Sequence, residues 1–202
     1  MTDSAVKSNT IPEQITTADK VSTRLGNLEF FDGMPSQKTV DLVYDNLDFL
    51  RGVEVFLNFV PAASLEAMRA GLEELGLKEC NDVMILEDLL DSEPLFLTGN
   101  TDTVYCSALL DLDKYGPIVV EVPPGCGPGT VNDAFFRFVV DMGIPGPDQG
   151  KGGKYLIIPP GYDKELPSGY HLARSRSYIN WLILRGFLVD GKPVAATACF
   201  KK

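Results

Sequence analysis

From residue 82 to 191 the sequence is a succession of short, apolar, β-prone runs cut by glycine and proline. The runs are DVMILED (82–88), PLFLTG (94–99), TVYCSALLDL (103–112), PIVVEVPP (117–124), FFRFVVDMG (135–143), KYLIIPP (154–160), YHLARS (170–175) and YINWLILRGFLVDG (178–191). Many short strands at regular spacing, with turn residues between them, argue for an antiparallel sandwich or barrel. No helical stretch alternates with these runs, so a doubly wound parallel sheet is not expected.

Ahead of them lies a helical pattern. Val43, Leu47, Leu50, Val53, Leu57 and Val60 recur at three- and four-residue steps. Ser36 suits the N-cap, and Pro61 is expected to end or kink the helix. A second helix is expected over about 62–75, with Leu65, Met68, Leu72 and Leu75 on one stripe and an Arg69–Glu73 pair on the other side. Gly76 suits its end. The expected fold class is α+β, mainly β: an antiparallel sandwich with an N-terminal helix pair. Residues 1–20 are polar and lack hydrophobic period, and read as a mobile arm. Residues 21–80 read as a strand and turn (NLEFFDGMPS) plus the helix pair, and 81–202 as the sandwich, with 21–202 one folded unit.

The chain's 202 residues carry 18 basic and 28 acidic side chains, a net charge of −10. Such a surface repels nucleic acid and anionic lipid, so neither is an expected partner. No apolar run nears the roughly 20 residues of a membrane helix, and the start lacks the basic and apolar regions of a secretory signal. A soluble protein of unknown compartment is expected.

The four cysteines, Cys80, Cys106, Cys126 and Cys199, are irregularly spaced and form no C-x-x-C. That spacing excludes a zinc ribbon or a thioredoxin-like motif, and free thiols in or near the core are expected. The single histidine, His171, excludes a His-rich metal centre and falls in an expected strand. Glu87, Asp88, Asp91 and Glu93 lack the calcium-loop spacing. GPDQGKGGKY (146–155) lacks the Ser or Thr of a P-loop and precedes a strand, so it reads as a flexible hairpin. No metal or cofactor is expected.

Three stretches hold candidate site residues. In GNTDTVYCSALLDL (99–112) a polar knuckle runs straight into a strand. An Asx turn explains Asn100 and Asp102 as a corner; the alternative makes them, with Tyr105, the lip of a site. In FFRFVVDMG, alternation puts Phe136, Phe138, Val140 and Met142 on one face and Phe135, Arg137, Val139 and Asp141 on the other. Arg137 and Asp141 then need partners, in an ion-pair layer or in a pocket for an anion. In YINWLILRGFLVDG, Trp181 and Arg185 share a face, as a binding wall or as core packing with a snorkelling arginine. Asn100, Asp102, Tyr105, Arg137, Asp141, Trp181 and Arg185 together form the candidate ligand or partner wall.

GNTDTVYCSALLDL, PIVVEVPPG, FFRFVVDMG, GGKYLIIPPGY and RSRSYINWLILRGFLVDG, in that order, resemble the blocks of the family catalogued as domain of unknown function 1254. Asn100, Asp102, Thr103, Tyr105, Asp111 and Leu112 match its characteristic element. The resemblance runs from about residue 20 to the C-terminus. It implies an immunoglobulin-like β-sandwich preceded by helices, usually continuing into a second domain of unknown function, 1214. It also implies that this chain, stopping at TACFKK, is an N-terminal fragment, an isolated domain or part of a split protein. It implies no activity.

The leading functional expectation is a non-catalytic module that binds or assembles with a partner domain or second polypeptide. One alternative is the N-terminal half of a hydrolase-type enzyme with a shared active site. Another is a structural coat or surface component. An exposed apolar face is expected at Trp181, Ile183 and Val194–Phe200, making the chain a homo- or hetero-oligomer.

Overall fold

A computed structural model describes residues 11–12, 15–16, 18–94, 96 and 99–202. Most of the expected N-terminal arm and much of the expected strand at 94–99 lie outside the described residues. The chain divides into two units, Met1–Asn58 and Phe59–Lys202.

In the first unit, strands β1 (Lys20–Thr23), β2 (Gly26–Phe31) and β3 (Met34–Pro35) form an antiparallel sheet in sequence order. The β2–β3 turn is Asp32-Gly33, both residues with positive φ, which is the conformation a two-residue hairpin requires. Helix α1 (Gln37–Glu74) begins beyond Ser36, whose Oγ accepts from the Thr39 N–H at 3.2 Å. Buried Thr39 ties this start to β2. Its Oγ1 accepts from the Glu29 N–H at 2.8 Å and donates to the Glu29 carbonyl at 3.1 Å.

The expected helix pair is one continuous helix, with Pro61 inside it. Proline removes one backbone donor, which leaves the carbonyl of residue 57 without its helical partner. Leu57 is exposed, and at such a position solvent can take the place of the missing backbone donor. Its end follows expectation: Gly76 takes φ 111°, its N–H donates to Glu73 and the Leu77 N–H donates to Leu72.

The second unit continues with β4 (Val83–Ile85), β5 (Thr103–Asp111), α2 (Leu112–Tyr115), β6 (Ile118–Val122), β7 (Gly129–Asp133) and β8 (Phe138–Met142). It ends with β9 (Gly153–Ile158), β10 (His171–Arg174), β11 (Ile179–Phe187) and α3 (Val194–Phe200). A five-stranded antiparallel sheet runs β4-β5-β11-β7-β8, and a three-stranded sheet runs β10-β9-β6. One core joins them: Leu110, Val131 and Leu182 come from the first sheet, and Val122, Tyr155, Ile157 and Ala173 from the second. Each leucine, valine or isoleucine among them contributes about 1.5–3 kcal/mol on full burial. The fold is thus α+β and mainly β, with one departure from an all-antiparallel reading: β9 and β10 pair in parallel.

Candidate functional site

The polar knuckle is a corner. Asn100 Oδ1 accepts from the Asp102 N–H (3.2 Å), the Thr103 N–H (2.9 Å) and Thr103 Oγ1 (2.7 Å). The Asn100 N–H donates to the Tyr105 hydroxyl at 2.9 Å. At the far end of β5, Asp111 caps α2 by accepting from the Asp113 and Lys114 N–H groups, both at 3.0 Å. Asp102 itself is exposed.

β5, β8 and β11 bring four of the candidate wall residues to one face. Register sets Arg185 opposite Tyr105, and Trp181 opposite Leu109 and Asn132. Asp141 lies opposite Thr130, which lies opposite Ile183. Alternation therefore turns Tyr105, Asp141, Trp181 and Arg185 away from the shared core. There the rings form an edge-to-face layer: Phe96 meets Tyr105 at 6.4 Å and Trp181 at 6.3 Å, and Phe136 meets Trp181 at 5.7 Å. The Arg185 guanidinium lies 6.0 Å from the Tyr105 ring centre.

The exposed apolar face expected at Trp181 is not there. Trp181 is 6% exposed, and its indole N–H donates to Ser107 Oγ at 2.6 Å. Ile183 is half-buried, and the expected apolar tail is the helix α3. Apolar exposure is marked along α1, on the stripe that the period picks out: Val43, Leu50, Val53, Leu57 and Val60 are each 40% exposed or more, and Tyr44, Phe49 and Phe56 beside them 60% or more.

Arg137 stands apart from this face. FFRF is not continuous strand, because Phe136 takes φ 58° and β8 starts only at Phe138. The partner of Arg137 is Asp133 rather than Asp141. Buried Asp133 accepts from the Phe135 and Arg137 N–H groups at 2.8 and 3.0 Å, and from Arg137 Nε at 2.7 Å. One carboxylate thus closes the turn and binds the guanidinium, which also packs 5.1 Å from the Phe135 ring.

Asp148, inside the Gly-rich 146–155 stretch, is a second buried hub. It accepts from the Gly143 N–H (2.8 Å), the Gly152 N–H (3.1 Å) and the Tyr155 hydroxyl (2.5 Å). Burial, then the bond to Asp148, hold the Tyr155 phenol well above its usual range. His171 packs on that ring, with the ring centres 4.9 Å apart. The expected flexible hairpin is therefore tied down from within. Reading the sequence missed Asp133, Asp148 and Ser107 as hubs. Its only available signal was an aspartate set among turn residues, in NDAFF and GPDQG.

Asp133 and Asp148 spend their oxygens on loop N–H groups and on one neighbour each, which is architectural chemistry. In the second unit a cavity lined by Arg69, Glu79, Lys114 and Tyr115 holds about 50 Å³, below the roughly 300–1,000 Å³ of a small-molecule site; in the first unit a wide-open depression of about 590 Å³ lies along Phe30, Phe31, Met34 and Pro35. Among the described residues, no three metal-ligating side chains converge, and no helix is long and apolar enough to cross a membrane. All four cysteines are free; Cys106 and Cys126 are buried.

A family model described as protein of unknown function (DUF1254) matches residues 80–202. The chain belongs to the DUF1254 family. The matched segment holds the corner, both buried carboxylate hubs and both sheets of the second unit. A solved structure of the VPA0106 protein from Vibrio parahaemolyticus is similar at 21% identity with a TM-score of 0.45, over 52% of this DUF1254 chain. The chain covers 27% of that protein's length. No curated protein matches it.

Proposed function

We propose that this DUF1254 chain is a binding and assembly module that docks a partner through the exposed apolar surface of α1. The observation carrying this reading is the run from Tyr44 to Val60, where Phe49 is 68% and Phe56 69% exposed. Large aromatic side chains crowded on one helix favour a covering surface, because each desolvated ring removes apolar area from water. The occupant is a separate domain or polypeptide with an apolar face and a basic rim, rather than a second copy. Asp41, Asp45, Asp48 and Glu54 accompany the apolar residues against only Lys38 and Arg51, and the whole chain carries −10, so two copies repel.

An amphipathic helical peptide of leucine and lysine is the probe, with a leucine–glutamate peptide as control. The lysine peptide is expected to bind the chain, and F49S/F56S to weaken it by roughly tenfold, about 1.4 kcal/mol. Equal binding of both peptides, an unaffected double variant, or concentration-dependent dimers of the chain alone in light scattering would overturn the reading.

A further inference from the structure

α3 is seated closely on the five-stranded sheet. A Cβ at Gly186 of β11 would stand 2.4 Å from Ala196 Cβ and 3.1 Å from the Phe200 ring, so only glycine leaves room for the helix. Lys201 Nζ meets Glu87 at 2.5 Å beyond the helix end. On the same helix Cys199 Sγ reaches the Pro124 carbonyl at 3.7 Å. Pro124 belongs to PPGCGPG, where the Cys126 N–H closes a turn onto Pro123 at 3.1 Å. Cys126 is in the core, and Cys199 and Phe200 pack against that core. After burial, Cys199 is the largest influence on the Cys126 thiol. Residues 73 positions apart in sequence are thus brought together by tertiary packing alone.

We propose that Cys126 and Cys199 are a reversible oxidation site, closing to a disulfide that staples α3 to the 123–129 loop. The oxidant is a low-molecular-weight disulfide. Cys199, half-buried and the more accessible of the two, attacks one of its sulfurs. The reagent's S–S bond breaks, a Cys199 mixed disulfide forms and one small thiol leaves. Cys126 then attacks the Cys199 sulfur and expels the second small thiol, its proton passing to the departing sulfur. Two electrons move from the protein thiols to the reagent, and no proton is gained or lost overall. Burial, followed by the Cys199 thiol, pushes Cys126 up to about 12, which makes the second step the slower one.

The test uses the full chain treated with oxidised glutathione, then denatured, alkylated with maleimide and mapped by peptide mass spectrometry. Two of the four thiols are expected to become unreactive, joined as an intramolecular Cys126–Cys199 link that dithiothreitol reverses. Proteolytic cleavage within α3 is expected to slow in the oxidised form. Cys199→Ser is expected to keep all its remaining thiols reactive. A persistent glutathione adduct on Cys199, a link through Cys80 or Cys106, or a link between chains would overturn the proposal.

Discussion

Asn100 and Tyr105 hold one corner between them, the N–H of the first donating to the hydroxyl of the second at 2.9 Å. The Asn100 side chain meanwhile serves two backbone N–H groups and a hydroxyl. Asn100→Ala strips that acceptor away and is expected to cost about 1–3 kcal/mol. Asp102→Ala, at an exposed carboxylate, is expected to stay within about 0.5 kcal/mol. Urea midpoints of the two variants compare them; the opposite ranking would make Asp102 the residue with the structural task.

Alkaline pH is expected to destabilise the second unit. Burial pushes the Cys106 thiol from 9.0 up to about 11. The native state therefore keeps a proton that the unfolded chain loses, and stability present below pH 9 declines as pH rises towards 11. At 1.36 kcal/mol per unit the loss is about 2–3 kcal/mol. The raised Tyr155 phenol acts in the same direction at higher pH. Urea unfolding under reductant at pH 7.5 and 10.5 measures the difference, and Cys106→Ala should shrink it. An unchanged pH dependence in that variant would exclude Cys106 as a source.

Pro61→Ala tests the unbroken helix. Proline inside a helix costs about 3 kcal/mol relative to alanine, partly offset by the stiffer unfolded chain it creates. A gain of about 1–3 kcal/mol is expected, with no loss of helical circular dichroism. A drop in stability would mean that Pro61 marks a bend the surroundings require.

Gly186→Ala is expected to cost about 1–3 kcal/mol through overpacking, because the new methyl meets both Ala196 and Val104 Cγ2, the latter at 2.9 Å. Limited proteolysis should then reach Val194–Phe200 sooner. Adding Ala196→Gly should return part of the loss, since it removes the nearer of the two clashes.

The strands were legible where period and punctuation agreed. TVYCSALLDL, PIVVEVPP and YINWLILRGFLVDG became β5, β6 and β11 because alternating β-prone residues met clear turn signals. β7 was missed because GTVND is short and emerges from a Pro-Gly loop. FFRF was misread because a run of aromatics looks extended, whereas Asp133, reaching back from the previous strand, stabilises a turn there. Side chains that bond backbone leave no spacing rule, so Asp133 and Asp148 had no visible signature. The α1 stripe carried the correct period, but period reports a helix and does not say what covers it. Tyr105, Asp141, Trp181 and Arg185 share one sheet face through pairing register, which sequence alone does not specify, and the turn at Phe136 keeps Arg137 off it.

The strand order β4-β5-β11-β7-β8 has a consequence for synthesis. β11 is made after both β5 and β7, yet it lies between them. Until residue 187 has left the ribosome, the inward edges of both neighbours stay open, with apolar side chains around them. Open edges of that kind pair with whatever strand is nearby, and nascent chains displaying them are prone to aggregate. A pause or truncation after residue 143 would leave β7–β8 and β4–β5 as separate ribbons, each able to recruit a foreign strand into the slot reserved for β11. Prompt synthesis of residues 144–187, which carry β9, β10 and β11, is therefore expected to favour the yield of folded chain.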